Sequence, residues 1–247
     1  AIAALAEGRS VLVTAPTATG KTVVAEYAVW SAARAGRVAI YTTPIKALSN
    51  QKFRDLRALY GRETVGLLTG DIVENPTGRI LVMTTEVLRN MLLQDSRAVA
   101  GVGAVIFDEI HYLADPERGT TWEEALIMCP VDVQVVCLSA TVGNADELAA
   151  WLASLRRPGD LVHVAHHRRA VPLEHRYLVD GALVPFLSAE GRVLRKLNVG
   201  GELARRVGLS GLPSPRGRPR REVRQMATPP QVLRLLSEAD LLPAIYF

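Results

Sequence analysis

Residues 15–22, Ala-Pro-Thr-Ala-Thr-Gly-Lys-Thr, follow the apolar run Ser10–Thr14 and open an amphipathic stretch. A tight loop between a buried strand and a helix presents backbone N–H groups, which suit phosphate oxygens. Within it, Lys21 can reach the β- and γ-phosphates of a nucleotide, and the Thr22 hydroxyl can hold Mg²⁺. Ala15, Pro16, Thr17, Ala18, Thr19 and Gly20 form the rest of this phosphate-loop pattern, with Ala15 in place of its first glycine. A second chemical group sits in AVIFDEIHYL, where Asp108 and Glu109 end another apolar run. Beside bound phosphates, Asp108 suits the Mg²⁺ shell and Glu109 suits a general base that polarises water. His111 is a sensor of the γ-phosphate, a coupling to a neighbouring domain, or a structural histidine. Ser139-Ala140-Thr141 closes the run VVCLSAT; its hydroxyls either couple nucleotide state to the carboxylates or cap the following helix.

These groups need a scaffold that brings several strand ends together. Between residues 10 and 141 short apolar runs (SVLVTA, RVAIYTT, TVGLL, RILVMTT, AVIFDE, VQVVCLSAT) alternate with amphipathic stretches. The helical pattern spans Lys21–Arg34, Lys46–Tyr60, Glu86–Gln94, Thr121–Met128 and Ala145–Ser154. Such alternation predicts an α/β fold, a mostly parallel sheet with helices on both faces. Ligands bind such sheets at the carboxyl ends of the strands, where the unusual residues fall. After Leu161 the pattern changes. PLEHRYLV (172–179) reads as a strand, 183–209 as one or two short helices, and 229–239 as a helix.

The chain has 247 residues, 49% of them hydrophobic, enough for one large domain and an appendage. No apolar run approaches the roughly 18 residues of a membrane span, so no membrane partner is expected. Cys129 and Cys137 lack metal-ligand spacing and read as core residues of a reducing, cytoplasmic protein without a disulfide. Charge is uneven. Residues 1–156 carry 14 basic and 17 acidic side chains, net −3, and residues 157–247 carry 15 and 8, net +7. Seven arginines against one glutamate fall within 205–224. That Pro- and Gly-rich stretch is either a solvated linker or a phosphate contact.

With the phosphate loop, Asp-Glu-Ile-His and Ser-Ala-Thr in this order, the chain resembles a superfamily 2 helicase of the DExH-box kind. TTPIKALSNQKFRDL, VGLLTGD, ILVMTTEVLRNML, VIFDEIHYLADPERGTTWEEALI and LSATVGNADELAAWL narrow the resemblance to the superkiller-type group. It covers roughly residues 1–180. Ala18-Thr19 departs from the Ser or Gly followed by Ala that the group would have. The resemblance implies a RecA-like P-loop NTPase domain and an ATP-dependent helicase using ATP and Mg²⁺. It assigns single-stranded nucleic-acid contacts to Thr43, Pro44 and Lys46, to Thr69, Gly70 and Asp71, and to Thr84, Thr85 and Glu86. Asp71 and Glu86 have the alternative of capping helices. RNA is favoured over DNA as substrate. A DNA-repair translocase and a nucleotide-gated binding module that never hydrolyses are the competing readings.

The implied organisation is a first RecA-like domain over 1–165, a connector over 166–204, the basic linker over 205–228, and over 229–247 a helix and first strand of a second RecA-like domain. The last segment, LLPAIYF, would open that second domain, a partner within the same parent chain. On this expectation residues 1–247 alone bind nucleotide but hydrolyse it at least ~10³-fold more slowly than the parent, because an arginine finger supplied from elsewhere is worth about 10³–10⁵ in rate. Phosphate release by the two proteins checks this; equal turnover contradicts it.

Overall fold

The computed structural model describes residues 1–95, 99–169, 174, 176–179, 182–185 and 229–239. It divides into two compact units, residues 1–170 and 171–247. In the first, α1 (Ile2–Ala6) leads into β1 (Ser10–Thr14), α2 (Lys21–Arg34), β2 (Val38–Thr43) and α3 (Lys46–Tyr60). Then come β3 (Val65–Leu68), β4 (Val73–Glu74), β5 (Ile80–Thr84), α4 (Thr85–Gln94) and β6 (Val102–Phe107). A 3-10 turn at Ile110–Ala114, α5 (Gly119–Met128), β7 (Gln134–Ser139), α6 (Ala145–Ser154) and β8 (Leu161–Ala165) complete the unit.

These eight strands form one sheet in the order β4-β3-β5-β2-β6-β7-β1-β8, parallel except for β4, which runs antiparallel to β3. The central strands are apolar on both sides because helices cover both faces. Alternate residues serve opposite cores, as the strand period of two requires. Val11, Val13, Tyr41, Val82 and Ile106 pack with Ala25, Ala28 and Val29 of α2 and with Phe53 and Leu56 of α3. Leu12, Ile40, Met83, Val105 and Phe107 pack on the other side with Leu88 of α4, Trp122 and Leu126 of α5 and Leu152 of α6. Register then aligns the strand ends: Thr14 lies beside Ser139, Thr42 beside Phe107, and Thr43 beside Thr84.

Three helices, Lys21–Arg34, Lys46–Tyr60 and Ala145–Ser154, begin and end where the sequence pattern placed them. The others start one or two residues earlier than the apolar periodicity, at Thr85 and Gly119. Two strands of this unit were not anticipated. β4 has only two residues, both exposed, and β8 is an edge strand of half-buried residues that lacks the apolar run of its neighbours. Both cysteines are buried free thiols, and burial raises the Cys129 thiol to about 11.

The second unit contains the antiparallel pair β9 (Arg176–Val179) and β10 (Ala182–Pro185) and helix α7 (Pro229–Glu238). β9 occupies the second half of the strand expected over 172–179. Residues 183–185, expected to begin a helical stretch, instead pair as strand with β9, an arrangement open to the apolar, β-favouring Leu-Val. The remainder of 183–209, the basic stretch 205–224 and the terminal strand 244–247 lie outside the described residues. Among the described residues no helix is long and apolar enough to cross a membrane.

One buried charge joins α5 to the chain after α6. Arg156 is 7% exposed and donates to the carbonyls of Leu126, Cys129 and Pro130, each at 3.0 Å. The last carbonyls of a helix lack intrahelical partners, and this guanidinium supplies them. Replacing Arg156 with Leu leaves these acceptors unpaired, at a cost of about 1–3 kcal/mol for each that water cannot reach. Urea denaturation is expected to show a destabilisation on the order of 3 kcal/mol, whereas an unchanged midpoint would remove Arg156 from the fold's support.

Candidate functional site

β1 delivers its chain to the phosphate loop with all five residues buried. Ala15 N donates to Ser139 O at 3.1 Å, so the loop springs from the seam between β1 and β7. Thr19 Oγ1 donates to Pro16 O at 2.7 Å, and Lys21 Nζ donates to the carbonyls of Ala15 at 2.7 Å and Pro16 at 3.0 Å. Gly20, at φ 87°, turns the chain into α2 as its N-cap and brings no side chain to occupy the first N–H groups of that 14-residue helix. A helix start without a side-chain cap keeps its donors and the positive end of its dipole for an anion. Ala18 is also left-handed, at φ 63°. For alanine that conformation costs about 1–2 kcal/mol. Relative to Gly at this place, Ala18 thus has a backbone cost, which the loop bears.

Asp108 and Glu109 follow β6. Asp108 N donates to Thr42 O at 3.1 Å, which continues the pairing of β6 with β2 past the strand's end. Its carboxylate accepts from Glu109 N at 3.0 Å on Oδ1 and from the Tyr41 hydroxyl at 2.7 Å on Oδ2. Burial first, and then the Asp108 carboxylate, push the Tyr41 hydroxyl well above the ordinary tyrosine range. Tyr41 therefore remains a donor and holds Asp108 in one orientation. Glu109 adopts φ 53° and ψ 44°. Backbone strain of this kind is tolerated where surrounding contacts fix it, often at functional sites. It turns the chain sharply into the 3-10 turn and sets His111 Nδ1 at 3.3 Å from Glu109 Oε2, without the alignment of a hydrogen bond. Ser139 is buried with its hydroxyl unpartnered, Ala140 is half-buried and Thr141 is exposed.

Among the described residues there is no cluster of three or more His, Cys, Asp or Glu able to hold a metal. Mg²⁺ is usually bound by one or two carboxylates together with substrate phosphates rather than by a protein cage. Thr22, exposed at the first turn of α2, and Asp108 are oxygen ligands of the right kind.

The remaining candidates follow β2, β3 and β5. Thr43, Pro44, Thr69, Thr84 and Thr85 are buried, Gly70 and Asp71 are exposed, and Glu86 is half-buried. The Thr43 hydroxyl is 2.7 Å from the Ser49 hydroxyl, while Thr85 Oγ1 has no partner. Lys46 Nζ pairs with Asp71 Oδ1 at 2.9 Å, and Thr69 Oγ1 donates to the same oxygen at 2.9 Å. Bonds from Lys46 and then Thr69 hold the Asp71 carboxyl below its usual range. Glu86 is paired with Arg118. Both acidic candidates are thus occupied by cations. Sequence reasoning passed over Tyr41 and Arg118. Tyr41 had one signal, a hydroxyl in an otherwise aliphatic or threonine strand; Arg118 had none beyond its place in ERGTTWEE.

Strand order sorts all of these residues. The phosphate loop, the carboxylates and Ser139–Thr141 follow the adjacent strands β1, β6 and β7. The three other motifs follow the adjacent strands β2, β3 and β5. One carboxyl edge therefore carries two neighbouring groups of candidate residues, divided between β2 and β6.

Residues 1–148 match the family model described as DEAD/DEAH box helicase. The chain is 49% identical over 206 residues to the chloroplastic DExH-box ATP-dependent RNA helicase DExH15 of Arabidopsis thaliana, covering 81% of this chain and 17% of that protein. It is 53% identical over 172 residues to Superkiller complex protein 2 of Homo sapiens, covering 70% and 14%. This chain thus spans less than a third of the length of these relatives. A solved structure of the Mycobacterium smegmatis helicase Lhr bound to ssDNA and AMP-PNP is 29% identical, with a TM-score of 0.54 over 68% of this chain and 25% of that one. The likeness establishes the RecA-like fold.

Replacing Tyr41 with Phe removes the donor that orients Asp108. Loss of such an outer-shell partner costs about 10–100-fold, and ATP turnover is expected to fall at least about tenfold. The raised Tyr41 value also has a sign: its stabilisation is complete below the unfolded tyrosine value of about 10 and is lost as pH rises through the folded value. The Phe form is expected to lose less stability than the wild type above pH ~10. Denaturant titrations of both forms check this, and parallel losses contradict it.

Proposed function

The chain belongs to the DEAD/DEAH box helicase family, with superkiller-type and DExH RNA helicases among its relatives, and from that premise we propose that it is the nucleotide-binding motor domain of an ATP-dependent RNA helicase. The observation that carries this reading is strand order: the phosphate-loop pattern, the Asp-Glu pair and Ser139–Thr141 follow the adjacent strands β1, β6 and β7, and the three other motifs follow the adjacent strands β2, β5 and β3. On this reading Lys21 holds the β- and γ-phosphates, together with the N–H groups of residues 15–22. Thr22 and Asp108 would hold Mg²⁺, which would neutralise phosphate charge when bound. Glu109 accepts the proton of the attacking water, and His111 lies close enough to Glu109 to register its state. Ser139-Ala140-Thr141, tied through Ser139 O to Ala15 N, connects the phosphate loop to β7.

The second site grips the strand through backbone. With its threonines buried and its carboxylates paired, what it offers a phosphate is the N–H groups and helix starts after β2, β3 and β5. Contacts of that kind hold a strand without reading its sequence. A second RecA-like domain would complete the cleft. RNA is the proposed substrate because the relatives include a protein named as an RNA helicase. The Lhr structure, which holds ssDNA, supports DNA as the second reading.

The test is nucleic-acid-stimulated ATP hydrolysis by the whole protein. Single-stranded RNA is expected to accelerate phosphate release more than DNA of the same sequence. Glu109→Gln is expected to abolish turnover while leaving ATP affinity within about twofold. Lys21→Ala is expected to weaken that affinity about 10–150-fold, the equivalent of a charged hydrogen bond of about 1.5–3 kcal/mol. Stimulation by DNA alone would favour the translocase. Binding without any turnover would favour the non-hydrolysing module.

A further inference from the structure

The segment from Asp115 to Trp122 belongs to neither site as described, yet it is held from every side. Asp115 Oδ1 accepts from the N–H groups of Glu117 and Arg118, both at 2.9 Å. Gly119 N donates to Asp115 O at 2.8 Å. Gly119 is buried so closely that a Cβ there would sit 2.3 Å from Leu113 O, against backbone that cannot yield. Trp122 is fully buried and stacks on Tyr112, with ring centroids 5.8 Å apart at 22°. Tyr112 adjoins His111, so this scaffold begins at the hydrolysis centre.

What the scaffold holds in place is Arg118. Its guanidinium lies 5.6 Å from the centroid of the Trp122 ring, a stacking that limits its orientations. Nη2 donates to Pro44 O at 2.5 Å, and both Nε, at 3.1 Å, and Nη2 donate to Glu86 Oε1. Pro44 lies in the loop after β2, and Glu86 in the first turn of α4 after β5. One side chain from the hydrolysis side therefore joins two of the three loops on the nucleic-acid side. A pair about a third exposed contributes little to global stability. Its planar fork is nevertheless suited to fixing two acceptors at a set spacing. It also cancels the Glu86 charge at an edge that must approach phosphates.

We propose that Arg118 is a positioning residue for the nucleic-acid strand: it fixes the loops after β2 and β5 relative to one another and neutralises Glu86, so that the N–H groups of both loops meet successive backbone phosphates. This rests on the reading of that edge as the nucleic-acid site. Arg118 acts through Pro44 and Glu86 and touches neither nucleotide nor strand.

The experiment uses the whole protein with labelled single-stranded oligouridylate, and measures RNA affinity, the RNA concentration for half-maximal ATP turnover, ATP affinity and the melting midpoint. Arg118→Met is expected to raise both RNA constants about tenfold, with ATP affinity and the melting midpoint unchanged. Arg118→Lys, which restores charge without the fork, is expected to fall between Met and wild type. Adding Glu86→Gln to Arg118→Met removes the unpaired carboxylate and is expected to recover part of the lost affinity. Gly119→Ala, which displaces Arg118 without removing it, is expected to weaken RNA in the same direction. RNA constants equal to wild type in Arg118→Met would overturn the inference. So would an equal loss of ATP affinity, which would make Arg118 a general structural residue. A wild-type protein that binds neither RNA nor DNA would overturn the reading of the edge itself.

Discussion

In a parallel sheet every strand hands on its chain at the same edge. Apart from β4, all strands of the large sheet run in one direction, and the register of their pairing brings Thr14 level with Ser139, and Thr43 level with Thr84. Turns and helix starts therefore collect along one line. Uncapped N–H groups, helix dipoles and strand-end side chains all point into the same solvent. That constraint places a phosphate loop next to a pair of carboxylates, and both next to a second set of loops. It depends in turn on the two cores, since a sheet buried on both faces cannot shift register without turning apolar side chains to the wrong layer.

Strand order then decides which loops cooperate. The chain leaves β1, crosses over the places of β7 and β6, and lays down β2, β3, β4 and β5, with β5 between β3 and β2, before returning to fill the gap with β6 and β7. This crossover separates the strands that lead to the phosphate loop and the carboxylates from those that lead to the other three motifs, while leaving β2 and β6 as direct neighbours. Their shared border holds two of the cross-links. Tyr41 from β2 bonds Asp108 after β6, and Arg118, beyond β6, bonds Pro44 after β2. A change at the phosphate side thus has short, polar and well-packed routes to the strand side. Coupling between two sites is a free energy that both ligands must share, and these contacts are where this fold could store it.

The sequence made the scaffold legible because its signals were local. Apolar runs mark buried strands, and the helices at Lys21–Arg34 and Lys46–Tyr60 begin at a phosphate loop and after Thr-Pro, each with a clear break behind it. The placement of the phosphate-loop pattern after β1 and of the Asp-Glu pair after β6 was readable from type and spacing. Tertiary pairing was not. Whether Asp71 and Glu86 are free carboxylates depends on Lys46 and Arg118, one 25 residues away and the other 32 in sequence. The left-handed turn at Ala18 and the strained Glu109 are set by the loops around them rather than by their own preferences. The edge strand β8 escaped because its half-buried pattern carries no apolar run, and the strand at 182–185 because a short Leu-Val segment fits either structure.

On the proposed function, the nucleotide and nucleic-acid sites that share this edge are energetically linked. The most direct measurement is the affinity of the whole protein for single-stranded RNA with and without a saturating, non-hydrolysable ATP analogue. Linkage requires that nucleotide change RNA affinity, and that RNA change nucleotide affinity by the same factor. The account expects a change of at least about fivefold, at the lower end of ordinary allosteric coupling, and equal factors in both directions. Identical RNA affinity in the presence and absence of nucleotide would contradict it, for the two sites would then share an edge but not a function.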